Sequence, residues 1–137
     1  MSRPLGDAAG RPPEGWPLDH VGVAVPDLDA GAAPWTTLGL PRGEDETLED
    51  QGVRVRMLHA GAVHVELLAP LGADGAVARF LATRGPGLHH LAFRVPDVAT
   101  ELARLAAAGA RLVDEAPRPG RAGSLVAFLH PSWSGGV

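Results

Sequence analysis

Between residues 18 and 25 the chain alternates with a period of two. Val21, Val23 and Val25 fall on one side of an extended segment, and His20, Gly22 and Ala24 on the other. The same period returns at 53–59, where Val53, Val55 and Met57 alternate with Arg54 and Arg56. It returns again at 63–69, where Val63, Val65 and Leu67 oppose His64, Glu66 and Leu68. Gly61 between these two segments predicts a tight hairpin. After the first strand, Asp27 is placed to cap a helix over 28–38 that ends at Gly39. Gly31 and Pro34 lie inside it, and an interior proline costs about 3 kcal/mol. A kink, or a helix that starts near Pro34, is therefore expected. The acidic run Glu44 to Asp50 reads as a solvated edge strand or loop.

Residues 75–84 suit a short helix with Val77, Phe80 and Leu81 inward. A strand over 88–95 follows. A helix over 97–108 comes next, capped by Asp97 and closed by Gly109, with Leu102 and Leu105 on its apolar stripe. A short strand near 111–113, a Pro/Gly loop over 116–123 and a strand over 124–130 complete the pattern.

The pattern repeats. His20, four residues, then Val25-Pro26-Asp27 becomes His90, four residues, then Val95-Pro96-Asp97, seventy positions on. Each copy reads β-α-β-β-β. The fold class is therefore α+β, two repeated βαβββ modules whose helices cover one face of a cupped mixed sheet. Module one spans about 18–70, a linker helix about 74–84 and module two about 88–137, within one domain over 17–137. Residues 1–16, rich in Pro and Gly, read as a disordered leader.

Composition narrows the function. The 137 residues are 45% apolar, enough for a core. The net charge of −4 has no basic footprint, so a nucleic-acid partner is not expected. There is no cysteine, hence no disulfide framework and no thiolate chemistry. No apolar run is long enough to span a membrane, and the start of the chain lacks a signal-peptide core. A cytoplasmic protein is the expectation.

The chemistry sits on the polar face of the alternation. His20 and His90 are equivalent by the repeat, and each shares its face with small residues. Glu66 joins them if its strand lies beside the first strand. Two imidazoles and a carboxylate suit a first-row divalent metal. A lone strand histidine is more often a hydrogen-bonded structural residue; two at repeat-equivalent positions favour the metal. His89 points the other way and reads as structural. His59, His64 and His130 read as surface or loop residues. Glu49, near the Gln51-Gly52 turn, is the one candidate catalytic base, set against the reading of a solvated acid. Arg118 and Arg121 could meet phosphates, set against a solvated loop. The repeat also places the partner of Glu66 three positions beyond Val137, so a last strand and its carboxylate are expected to be missing.

Several strings together carry a resemblance: Asp19 to Asp29, Gln51-Gly52-Val53-Arg54-Val55, Val65 to Gly72, Gly87 to Phe93, Arg111 to Gly120, and Phe128-Leu129-His130-Pro131. Over about residues 18–137 the chain resembles the vicinal oxygen chelate (glyoxalase/bleomycin resistance/dioxygenase) superfamily, and within it the methylmalonyl-CoA epimerases. The resemblance implies that His20, Glu66 and His90 are metal ligands, with a fourth from a Glu in the last strand that also acts as base. A second acid, three residues after the Gly of Gln-Gly-Val in some members, is Val55 here. The segment Ala33-Pro34-Trp35-Thr36-Thr37 replaces a longer one. The implied cofactor is a divalent ion, Co2+ first, or Mn2+, Ni2+ or Zn2+. The implied substrate is methylmalonyl-CoA, its R and S forms interconverted by α-proton transfer, and the implied assembly a homodimer. The alternatives are a glyoxalase-type lyase or isomerase, a ring-cleaving dioxygenase, or a non-catalytic small-molecule-binding protein.

Overall fold

A computed structural model describes residues 11, 12 and 14–137. Most of the leader expected over 1–16 lies outside the described residues. The chain forms two compact units, one of residues Leu18–Ala92 and one of Phe93–Val137 with the segment ending at Pro17.

In the first unit the elements run β1 (Leu18–Ala24), α1 (Leu28–Leu38), β2 (Arg42–Leu48), β3 (Val53–Ala60), β4 (Val63–Pro70), α2 (Ala76–Arg84) and β5 (Gly87–Phe93). The sheet order is β2-β3-β4-β1-β5. β1 runs parallel to β4, while β2/β3 and β3/β4 are antiparallel. The acidic run 44–50 resolves as most of the edge strand β2 and a 3-10 turn over Glu49–Gln51. Edge position explains how so polar a stretch can be a strand, since one side of it meets water.

The alternation read from the sequence sorts the two faces. Val25, Leu28, Ala32, Leu58, Leu67 and Ala69 form one cluster, where α1 packs on the sheet. On the opposite face Ala24, Val53, Val55, Leu68 and Val77 form the second, with Phe80 and Leu81 of α2 against it. Helix α1 begins where Asp27 accepts a hydrogen bond from the Ala30 N–H at 2.8 Å, and ends at Gly39 with φ 99°. It runs through Pro34 as one element, so the later start expected from that proline does not occur. Burial of Leu28 and Ala32 in the first cluster holds the first turn that proline would otherwise weaken. Gly31 has a steric reason. A Cβ there would lie 2.7 Å from the Val25 side chain, so the missing methyl lets the helix sit close to the end of β1.

Arg56 is almost fully buried on the α1 face. Its Nε and Nη2 donate to the two carboxylate oxygens of Asp45 at 2.8 and 2.9 Å, and Nη1 lies 2.9 Å from Asp29. The bonds from Arg56 hold the Asp45 carboxyl below its ordinary value, and the charges of Arg56, Arg42 and Arg54 add to this against the cost of burial. The fork geometry ties edge strand β2 to β3.

In the second unit, α3 (Val98–Ala107) is capped by Asp97, whose carboxylate accepts from the Ala99 N–H and the Thr100 hydroxyl. The Trp16 Nε1–H donates to Glu101 of α3 at 3.2 Å, and the Arg94 N–H donates to the Pro17 carbonyl at 2.9 Å. The strands expected at 111–113 and 124–130 are much shorter. The described ladder pairs β6 (Arg118–Pro119) with β7 (Leu125–Val126), and Leu112 and Leu129 form an isolated bridge. Backbone bonds still join the two segments, the Val113 N–H donating to the Phe128 carbonyl at 2.9 Å and the His130 N–H to the Arg111 carbonyl at 2.8 Å. Phe128 gives its own N–H to the Asp114 carboxylate at 2.8 Å rather than to a backbone carbonyl, which interrupts a regular ladder there.

Candidate metal centre

Strand β1 carries His20 and Gly22 on the face away from α1, and the parallel register sets Gly22 opposite Glu66 of β4. Glu66 therefore lies one step along from His20 on the neighbouring strand. On the other side of β1 the neighbour is β5, which carries His90. All three residues belong to one sheet in one unit. The sequence reading made His20 and His90 equivalent by the repeat without saying how their strands meet. Because β5 joins the edge of β1, they are side-by-side neighbours.

Gly22 makes the approach possible. A Cβ at position 22 would stand 2.2 Å from Cε1 of His90, 2.5 Å from Nδ1 and 2.7 Å from Nε2, so the ring occupies the space that a side chain would fill. The imidazoles meet edge to face, centroids 5.2 Å apart at 84°. Nε2 of His20 is 3.1 Å from Nε2 of His90 and 3.6 Å from Oε2 of Glu66. One ligand atom from each of the three residues lies within 4.8 Å of the others.

The polar partners continue outward. Nδ1 of His20 is 2.8 Å from Oδ2 of Asp19, and Nδ1 of His90 is 2.9 Å from Nδ1 of His89. The His89 ring lies edge-on to Phe80 of α2. Burial is the largest reason that the His90 pKa falls to about 3, with the neighbouring His20 and His89 charges adding to it. Burial and the charge of Arg84 also lower that of His89. A neutral imidazole with a free lone pair is the form that binds a metal. Glu66 and His20 are largely shielded, their side chains 7% and 14% exposed. Two imidazole nitrogens and a carboxylate oxygen converging in so small a volume fit a borderline divalent cation.

Glu49 stands on the exposed 3-10 turn and is not in the cluster. Val55 is fully buried in the second apolar cluster. His64 is a half-buried strand residue in register with His20, its ring 5.3 Å from that of His59. His130 holds a turn by accepting from the Ser132 N–H at 3.1 Å. Arg118 lies over the Phe128 ring at 5.2 Å, with Asp114 3.4 Å from its Nε. Arg121 is in the 3-10 turn Arg121–Gly123. The contacts of Asp19 and His89 were missed by the sequence reading. Their signal was there: each immediately precedes one of the repeat-equivalent histidines.

Known proteins are similar to this chain in sequence and in fold. The family model of the Glyoxalase/Bleomycin resistance protein/Dioxygenase superfamily matches residues 19–128. The ethylmalonyl-CoA/methylmalonyl-CoA epimerase of Cereibacter sphaeroides is 40% identical over 117 residues, 83% of this chain and 87% of that protein. The crystal structure of methylmalonyl-CoA epimerase from Mycobacterium tuberculosis superposes with a TM-score of 0.82 at 42% identity, covering 88% of this chain and 82% of that one. A variant of the Streptomyces coelicolor methylmalonyl-CoA epimerase in complex with 2-nitronate-propionyl-CoA superposes with a TM-score of 0.85 at 39% identity, covering 89% and 90%. Matched over most of its length in both sequence and fold, the chain belongs to the Glyoxalase/Bleomycin resistance protein/Dioxygenase superfamily, among its methylmalonyl-CoA epimerase relatives.

Proposed function

We propose that this protein is an epimerase that interconverts the R and S forms of methylmalonyl-CoA. The observation that carries the reading is the convergence of His20, Glu66 and His90 in a chain with epimerase relatives. The substrate bears an α-proton between a carboxylate and a thioester carbonyl. In epimerisation the C–H bond breaks, its electron pair delocalises onto the carbonyl oxygen as an enolate, and a proton returns to the opposite face of the same carbon.

His20, Glu66 and His90 would hold the divalent ion, Co2+ first among Co2+, Mn2+, Ni2+ and Zn2+. Bound there, it supplies Lewis acidity where negative charge develops on the substrate oxygens. Gly22 leaves room for the His90 ring, and the apolar cluster around Val55 and Leu68 extends the same sheet face. No group is assigned as the base; Glu49 is exposed and outside the cluster. Two finer readings go with this one. Leu88 and Leu91, 49% and 45% exposed on edge strand β5, support self-association as a homodimer. A cytoplasmic location fits the observation that no helix among the described residues is long and apolar enough to cross a membrane.

The test is α-proton exchange in heavy water. With Co2+ present, the protein should wash the α-proton out of methylmalonyl-CoA and leave the hemithioacetal of glutathione unchanged. Turnover of the hemithioacetal without exchange of the thioester would move the protein to a glyoxalase-type reaction.

A further inference from the structure

We propose that His59 and His64, a cross-strand pair on the β3–β4 hairpin, form a second divalent-metal site, separate from His20, Glu66 and His90 and suited to Cu2+, Ni2+ or Zn2+. The inference goes beyond the epimerase reading and does not depend on it.

The hairpin register sets His59 directly opposite His64, and His64 in turn lies in register with His20 on β1. Cross-strand partners share a face, and so do residues two apart along a strand. His59, His64 and Glu66 therefore project from one side of the sheet, the side that carries the candidate metal centre. All belong to the unit Leu18–Ala92.

Three features single out the pair. The first is a glycine cradle. A Cβ at Gly43 of β2 would stand 2.9 Å from Nε2 of His59 and 3.2 Å from Cβ of Met57. Gly43 is not one of the left-handed glycines, so its backbone conformation gives it no reason to lack a side chain. The His59 ring takes the room it leaves, as the His90 ring does beside Gly22. The second is an unmatched nitrogen. Nδ1 of His64 is buried and has no hydrogen-bond partner among the described residues, whereas buried side-chain polar atoms are nearly always bonded. The third is spacing. The two rings meet with centroids 5.3 Å apart at 66°, against 5.2 Å for His20 and His90. Two imidazoles on one tetrahedral ion, at metal–nitrogen distances of about 2.0–2.1 Å, hold their ring centres roughly 5 Å apart. The rings need to turn, not travel, to share an ion. An edge-to-face ring contact explains the spacing, but it leaves the buried nitrogen without a partner.

The donor set decides the ion. Among the described residues, the one group of three potential ligands is His20, Glu66 and His90, so no carboxylate closes a third position here. Two imidazole nitrogens without an oxygen donor disfavour Mg2+, Ca2+ and Mn2+. Along the first row the affinity of such a pair peaks at Cu2+, well above Co2+. Water, or an oxygen of a bound anion, completes the coordination. Strand spacing puts this ion roughly 10 Å from the first.

Cu2+ is the probe, read by equilibrium dialysis and by the nitrogen couplings in its electron paramagnetic resonance spectrum. The parent should hold two ions and His59→Ala one. In a His20→Ala/His90→Ala chain, which lacks the first centre, one Cu2+ should remain with two coupled nitrogens. Adding His59→Ala or Gly43→Ala to that chain should weaken its binding at least tenfold, about 1.4 kcal/mol, with the circular dichroism unchanged. His59 is exposed, so its loss leaves the fold intact. Full affinity after His59→Ala, or no Cu2+ bound by the His20→Ala/His90→Ala chain, overturns the proposal. Loss of both ions from His59→Ala alone also overturns it, since the two would then be a single site. If the parent holds one ion that survives His20→Ala and not His59→Ala, the first centre fails and the second stands.

Discussion

The smallest feature that decides the site is an absent side chain. Gly22 has no Cβ, and the His90 ring occupies the space beside it. Replacing Gly22 by Ala would push a methyl to 2.2 Å from Cε1 of that ring, so the ring must leave. Gly22→Ala should therefore weaken Co2+ binding at least tenfold, about 1.4 kcal/mol, with the circular dichroism of the fold unchanged. His20→Ala and His90→Ala should do the same by removing a donor. Titration of Co2+ absorbance checks all three, and full affinity in any of them would remove that residue from the centre. The sequence reading found both histidines from the repeat and the small-residue faces beside them. It had no way to see that one glycine is small on account of the other copy's histidine, because that contact joins Gly22 to His90, far apart in the chain.

At the scale of elements, two contacts set the packing of the first unit. The first is α1 on the end of β1. Gly to Ala inside a helix ordinarily stabilises by about 1 kcal/mol. At Gly31 the sign should invert, because the new methyl meets the Val25 side chain at 2.7 Å. Gly31→Ala is expected to destabilise by about 1–3 kcal/mol in urea unfolding, and a gain in stability would mean that α1 can shift freely. The second contact ties β2 to β3 through Arg56. Asp45→Ala leaves a buried guanidinium with Asp29 alone and should cost about 2–3 kcal/mol. Asp29→Ala should cost under about 1 kcal/mol, since its carboxylate is exposed and screened. The Asp45 carboxyl sits below its ordinary value of 3.8 because of Arg56. Its stabilisation is complete above that pH and is lost as the pH falls through the lower folded value. The stability gap between parent and Asp45→Ala should therefore close on acidification below about pH 4; a gap that persists there would assign the loss to packing. Arg56 was read as the polar side of a strand, which is correct for its alternation. Its burial depends on α1 and β2 arriving over it, and neither is a local property.

At the scale of the whole molecule, metal and fold should be coupled. A ligand that binds only the folded chain stabilises it by about 2.7 kcal/mol at a free concentration one hundred times its Kd. Co2+ at that excess should raise the midpoint of thermal unfolding of the parent, and His20→Ala should lose the shift. An equal shift in that variant would place the ion elsewhere.

What the sequence by itself determined was local in its physics. Period-two alternation assigned His20, Gly22 and Glu66 to their strand faces, Asp27 and Asp97 announced their helices, and the repeat singled out His20 and His90. These follow from backbone geometry within a few residues. The tertiary structure alone decided which strand lies beside which. The order β2-β3-β4-β1-β5 makes His90 a lateral neighbour of His20, puts Glu66 one step away, and leaves exposed Glu49 outside the cluster. It also decided that the expected strands at 111–113 and 124–130 shrink to short pairings. Strand order is a choice among long-range pairings whose free energies depend on packing of the whole sheet, whereas alternation is the same whichever neighbour a strand takes.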